Sequence, residues 1–314
     1  MRQSLVLGVA LAWTAYAGPA YAQQGRTGAA TPGSALQVLH VQGNVYMLVG
    51  PGGNITIQVG KDGTLLVDTM LEPLAPAIAA EVKKLTNLPI RYIIDTSIDA
   101  DHVGGNAALA AMGATGASPV TGGGATVIAN NNVLNRMASP VTTKETPPLL
   151  RGLPNDTYFT PTKDFYFNGE PVVVFHAPNA HTDGDSLVLF RRSDVISSGD
   201  IFTPDRYPVI DVAKGGSVQG LIAALNQLLH LTVPERLQDG GTRVIPGHGR
   251  VCNEADVVEY RDMVTIVRDR IQALIKKGWS LQQIKAARPT LDYDARYGSG
   301  DSFIEAIYAS LSRK

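Results

Sequence analysis

The chain has 314 residues, 44% of them hydrophobic and 18% charged, with a formal net charge of −1. That length and apolar content suffice for a substantial buried core in one large domain with a helical tail. The near-neutral balance, with no basic stripe interleaved with aromatics, argues against nucleic acid as a partner.

The N-terminus carries Arg2, an apolar stretch from Leu5 to Ala12, and Ala20-Tyr21-Ala22 before Gln23. A charged start, an apolar middle and a small-x-small end make a secretory signal peptide over residues 1–22, with Ala17 as an earlier alternative cut. The apolar stretch is shorter than the ~20 residues of a membrane-spanning helix and stops at Gly18-Pro19, so no stable membrane insertion is expected after cleavage. The mature protein is expected to be periplasmic or secreted. Residues 23–35, small and polar with Gly and Pro, form a flexible leader to the domain.

From Leu36 the pattern turns to short β-rich runs, Leu36 to Val41, Val45 to Val49, Ile55 to Val59 and Thr64 to Asp68, separated by glycine turns. This predicts an antiparallel meander. Leu74, Ile78, Val82 and Leu85 then recur at helical spacing, and Ile90 to Ile94 forms the next strand. A loop and a helix over Asn106 to Met112 follow. Residues 113–125 lack periodicity, and Gly122-Gly-Gly124 is not followed by the Gly-Lys-Ser/Thr of a phosphate loop, so a mobile surface segment is expected. A second batch of strands occupies Asp164 to Asn168, Pro171 to His176, Ser186 to Phe190 and Asp194 to Ser197. Helices are predicted over Ser217 to Leu231 and Glu254 to Lys277, and the tail Leu281 to Lys314 reads as one or two more. Residues 36–280 are taken as the main domain, with 281–314 a helical extension packed on it.

Between the Ile90 to Ile94 strand and its helix lies Asp95-Thr-Ser-Ile-Asp-Ala-Asp-His-Val-Gly-Gly-Asn106, which places Ser97, Asp99, Asp101 and His102 in six residues. This resembles the His-x-His-x-Asp-His loop of the metallo-β-lactamase superfamily, with Ser97 and Asp99 in place of the first two histidines. Three more positions match in chain order: His181 in His-Thr-Asp-Gly-Asp185, Asp200 in Ser-Gly-Asp-Ile-Phe202, and His248 in Pro-Gly-His-Gly249. The resemblance implies a four-layer αββα sandwich. It also implies two metal positions at one edge.

In that family the first position takes the first two motif histidines and the residue matching His181. The second takes those matching Asp101, His102 and His248, and the residue matching Asp200 lies between them. Here the second set is complete, and the metal candidates are Asp99, Asp101, His102, His181, Asp200 and His248. Zn²⁺ suits these donors, with one ion tight and a second weak or absent; Asp99 is a shorter anionic substitute for imidazole, and a harder ion such as Mn or Fe is the alternative for that position.

The activity implied is metal-assisted hydrolysis of a small-molecule ester, thioester, lactone or β-lactam bond, with Asp101 as ligand and proton acceptor; with the first position altered, Asp99 is a candidate free general base as an alternative to its role as a ligand. Ser97 and Asp99 also admit a secreted binding protein that has lost turnover. A carboxylate at the second motif position is shared with the flavodiiron branch, which makes an iron oxidoreductase a further alternative; that branch adds a flavodoxin domain, absent here. His40, His176 and His230 match no motif and read as structural residues. Lys214 and Arg206 read as solvated surface charges before substrate anchors. Cys252 is the single cysteine, so no intrachain disulfide forms, and it reads as a small buried hydrophobe.

Overall fold

The computed structural model describes residues 36–114, 123–139 and 152–312. The signal peptide, the leader, and residues 115–122 of the segment expected to be mobile lie outside the described residues.

The first sheet opens with β1 (Gln37–Gln42), β2 (Val45–Gly50), β3 (Gly53–Gly60) and β4 (Gly63–Val67), each antiparallel to the next. The meander is therefore as expected. After α1 (Ala75–Leu85) the direction changes: β5 (Ile90–Ile94), β6 (Thr126–Asn130) and β7 (Asp156–Tyr158) extend the sheet in parallel from β4. Parallel neighbours need crossovers. α1, α2 (Ala100–Val103) with α3 (Asn106–Met112), and α4 (Asn131–Ala138) lie in those connections.

The second sheet has five strands in the order β12-β11-β10-β9-β8. β8 (Thr162–Phe167), β9 (Glu170–His176), β10 (Ser186–Phe190) and β11 (Val195–Gly199) are antiparallel, and β12 (Arg243–Pro246) returns parallel to β11 after α5 (Val218–Leu231). α6 (Glu254–Lys276) follows, then α7 (Leu281–Ala286), α8 (Asp294–Tyr297) and α9 (Asp301–Ser312). Among the described residues the tail thus holds three helical segments where one or two were expected.

Alternation along the strands assigns the layers, because successive side chains point to opposite faces. On the second sheet, Val172, Val174, Val188, Phe190, Val195 and Ile245 join Met47, Leu65, Val67, Ile94 and Ile128 of the first in one core between the sheets. Their neighbours Leu187, Ile196 and Val244 face away, into a core with α5, α6 and α9. Leu66, Ile93 and Val127 face the other way, onto Ile78, Val82 and Leu109 of α1 and α3. The result is helix, sheet, sheet, helix. Strands buried on both faces read as continuous apolar runs, as Leu65 to Val67 of β4 does.

The two parallel pairs β4–β5 and β11–β12 end on one edge, where a loop leaves each strand and the loops converge. Among the described residues no helix is long and apolar enough to cross a membrane.

Candidate metal centre

Asp95 and Asn106, the two ends of the motif segment, are clamped together: Nδ2 of Asn106 donates to both Asp95 carboxylate oxygens at 3.0 and 2.9 Å. The Thr69 hydroxyl donates to Asn106 Oδ1 at 2.8 Å. Within this clamp, α2 carries Asp101 and His102 in a single turn, with Asp99 in the extended residue before it. The Gly104-Gly105 pair is explained by close approach, since a Cβ on Gly105 would collide with the Thr69 carbonyl. The turn thereby sits tightly on the end of β4, and the His102 carbonyl accepts from the Thr69 amide at 2.8 Å.

His102 is buried at the floor of the site. Its Nδ1 lies 2.8 Å from Oδ2 of Asp68, the residue after β4, and its Nε2 lies 3.6 Å from Oδ1 of Asp200, just beyond β11. Asp68 also accepts from the Thr96 amide and hydroxyl at 2.8 and 2.7 Å, so its position is fixed. His248 comes from the turn after β12. Its Nε2 lies 3.2 Å from Asp101 Oδ2 and 3.5 Å from Asp200 Oδ1. Asn54 holds that turn, donating from Nδ2 to the Pro246 and Gly249 carbonyls at 2.9 Å each and from its amide to Gly247 at 2.8 Å. Gly247 has no room for a side chain, because a Cβ there would strike Asp200 Oδ1.

Asp101, His102 and His248 thus offer donor atoms that all lie within 4.8 Å of one another, with Asp200 beside both imidazoles. Nε2 of His102 and Oδ1 of Asp200 are buried and have no hydrogen-bond partner. Two such orphans facing one another fit a shared cation, and an Asp/His donor set suits Zn²⁺. Side-chain exposure rises from 2% at His102 through 11% at Asp200 and 22% at His248 to 32% at Asp101. Solvent therefore reaches the centre from the Asp101 and His248 side.

The charges are mutually supporting. Burial opposes ionisation of Asp200, but His102, His248 and His181 outweigh it and hold its carboxyl far below the usual range. Asp101 is likewise lowered, burial opposing and His248 and His102 prevailing. Burial works against a charged His102, and Asp68 and Asp200 overcome it, raising its pKa well above that of a free imidazole.

Asp99 and His181 lie outside this cluster and meet each other instead, with His181 Nε2 2.7 Å from Asp99 Oδ2. His181 sits in the loop after β9, its Nδ1 2.8 Å from the Val209 carbonyl. Asp99 Oδ1 takes the Lys214 ammonium at 2.6 Å, and that ammonium also reaches Asp211 Oδ2 at 3.0 Å. The expectation for Lys214 is corrected here: it is bound between two carboxylates, not a solvated surface charge. Asp99 has both oxygens engaged, unlike the uncommitted general base that was expected. Its pKa is held far below the usual range, burial opposing and the bonds from His181 and Lys214 prevailing. His181 is raised to about 9, burial opposing and Asp99 and its acidic neighbours prevailing. Ser97 is buried, and its hydroxyl oxygen lies 3.5 Å from the Asp99 amide.

His40 bonds to the Gly43 carbonyl and His176 to the Asp183 carbonyl, both away from the cluster. Cys252 is buried, paired with Val244 through its backbone, and burial raises its thiol to about 12. Sequence reasoning missed Asp68 and Asn54. The available signal was positional: a carboxylate ending the apolar run Leu65-Leu-Val67, and an amide in the turn-forming Gly52-Gly53-Asn54.

A family model described as Metallo-beta-lactamase superfamily matches residues 41–248. No curated protein matches the chain by sequence. Among solved structures the fold is similar to that of Pisa1, a stereoselective inverting sec-alkylsulfatase from Pseudomonas sp., with a TM-score of 0.65 at 17% identity over 87% of this chain and 50% of that one. A double mutant of that sec-alkyl sulfatase gives 0.66 at 17% identity over 88% and 50%. A metallo-beta-lactamase from Pontibacter korlensis gives 0.56 at 16% identity over 73% and 99%. The chain spans about half the length of the sulfatase structures. Likeness at such identity concerns the fold.

Proposed function

Because the chain belongs to the metallo-β-lactamase superfamily, we propose that it is a metal-dependent hydrolase working at the Asp101–His102–His248 cluster with Asp200. The observation that carries this reading is the pair of buried, unpartnered atoms, His102 Nε2 and Asp200 Oδ1, 3.6 Å apart on the site floor. When bound there, a divalent ion supplies Lewis acidity, polarising a substrate oxygen and lowering the pKa of water toward ~7.

The chain's own residues do the rest. Asp68 holds His102 Nδ1, so that Nε2 is the nitrogen presented to the centre. Asn54 fixes the turn that carries His248. Asp101, the most exposed of the four, is the carboxylate placed to hold a water molecule and accept its proton as it attacks. Asp99 is committed to Lys214 and His181, and acts by position and charge in place of proton transfer.

Zinc is the ion we assign, since two borderline imidazoles with two hard carboxylates make a mixed nitrogen and oxygen donor set that suits Zn²⁺. The bond is of the ester, thioester, lactone or β-lactam type, and the sulfatase neighbours add sulfate esters to the panel. The substrate is a small molecule met outside the cytoplasm, after export directed by residues 1–22. Untagged protein should be assayed for bound metal and for hydrolysis of that panel, before and after chelation. Zinc-restorable turnover that His248→Ala abolishes is the expected result. Turnover indifferent to chelation, or a chain that retains no ion, would overturn the proposal.

A further inference from the structure

Asp99, His181 and Lys214 satisfy one another, so a second ion would bind among them only by displacing contacts already made. Both ring nitrogens of His181 face oxygen acceptors, Val209 carbonyl and Asp99 Oδ2, so neither offers a lone pair outward. Both Asp99 oxygens are occupied, one by His181 and one by the Lys214 ammonium. Ser97, the remaining side chain of the motif, brings only a neutral hydroxyl, a poor ligand for a divalent cation. We propose that Lys214 is the permanent cation of this position, excluding a metal ion from Asp99 and His181 and making the chain a one-metal protein by construction. The inference rests on the reading above only in taking the Asp101–His102–His248 cluster as the place of the single ion.

The ammonium is delivered by built structure. Residues Val212–Lys214 form a 3₁₀ turn whose preceding residue, Asp211, accepts from the Lys214 amide at 2.9 Å. The same Asp211 holds the ammonium from the other side, at 3.0 Å. Gly215 ends the turn in the left-handed region at φ 86°, where a side chain would be strained and would crowd Asp183. The turn is tied to the segment carrying His181: the Asp211 amide donates to the His181 carbonyl at 2.9 Å, and the Asp183 amide to the Lys214 carbonyl at 3.0 Å. Lys214 and His181 are therefore held in one frame.

The charge logic matches the departure from the family motif. A carboxylate at position 99 in place of an imidazole adds a negative charge to a partly buried site, and such a charge needs a nearby partner. A metal ion is one solution and an ammonium on the chain is another. The two exclude one another, because a dication brought to Asp99 would stand against the fixed positive charge of Lys214 and would have to break its bonds to two carboxylates.

The test is a metal count on full-length wild type, Lys214→Met, Lys214→Ala and Lys214→Arg, each saturated with zinc, freed of excess and analysed for ions per chain. Cobalt substitution gives a second readout through its visible absorption. The decisive quantity is the difference between variant and wild type. Lys214→Met and Lys214→Ala should each gain about one ion per chain, and Lys214→Arg, which keeps a cation, should gain none. Lys214 is part-exposed, so these variants should fold, and circular dichroism checks that they do. Folded Lys214→Met and Lys214→Ala with no gain would overturn the inference, as would a wild type that already binds two ions. A wild type that binds none strikes at the proposed function instead, and the gain in the variants still decides the role of Lys214.

Discussion

Asp68 Oδ2 and His102 Nδ1 stand 2.8 Å apart, both side chains buried, and this contact determines which ring nitrogen of the imidazole looks into the site. An Asn at position 68 tolerates the left-handed backbone found there, φ 66°, and can still accept from the Thr96 amide. Its amide group cannot replace the carboxylate against Nδ1. Asp68→Asn should therefore keep the fold and weaken metal binding by about 10–100-fold, measured by competition with a chromophoric chelator. Unchanged affinity would show that His102 is oriented by something else.

Asn54 acts on His248 at one remove. Asn54→Ala deletes two hydrogen bonds to the carbonyls of Pro246 and Gly249 while sparing the backbone bond to Gly247. Leaving the buried Pro246 carbonyl without this donor costs about 1–3 kcal/mol, which urea unfolding will register. The loosened turn should also release metal faster in chelator-chase experiments. A stability loss with an unaltered release rate would separate the turn from the site.

The fold was legible where a strand or helix announces itself locally. Ile90 to Ile94, Asn106 to Met112 and Ser186 to Phe190 have the bounds expected of them. β6 escaped notice because Thr126-Val-Ile-Ala-Asn130 follows an aperiodic glycine-rich segment and runs into asparagines, and β12 because its four residues begin at Arg243 and end in Pro246. α4 was hidden by its start, an Asn130 cap accepting from the Asn132 amide in a run of asparagines that reads as a turn. The parallel half of the first sheet depends on crossovers, which no local pattern records.

The site divides along the same line. Asp101, His102, His181, Asp200 and His248 stand in local motifs, and the structure places each of them at the convergent edge. The Asp99–Lys214 bond joins residues 115 positions apart, and nothing near Lys214 in the chain foretells it. The pairing of His181 with Asp99, away from the Asp101–His102–His248 cluster, is likewise non-local and was for the same reason not visible in the sequence.

Cys252 gives a prediction of inertness. Its side chain is buried, its Sγ donates to the Arg250 carbonyl at 3.3 Å, and burial raises the thiol to about 12. At pH 8 roughly one thiol in ten thousand would then be ionised, and the thiolate is the nucleophile. Folded protein should resist iodoacetamide over hours and be labelled at once in denaturant. Rapid labelling of the native chain would contradict the packing described for this residue.

Asp185 provides a pH test of the fold. It is buried beside His181, accepting from the Thr182 amide at 2.7 Å, and burial lifts its carboxyl from 3.8 to about 6. Because the folded value is the higher one, the folded chain holds this proton more tightly. The stability it contributes is complete below about pH 4 and is lost as pH rises through about 6, a change of roughly 2–3 kcal/mol. Asp99 and Asp200, whose carboxyls are depressed, impose the opposite slope, so total stability is the wrong observable. Asp185→Asn removes the titration and keeps acceptor and donor groups for Thr182, and the other carboxylates cancel in the difference. Urea unfolding of metal-free protein at several pH values should show the variant gaining on wild type between about pH 4 and pH 6.5, then levelling. A difference that stays flat across this window would mean that Asp185 ionises inside the fold as easily as in the unfolded chain.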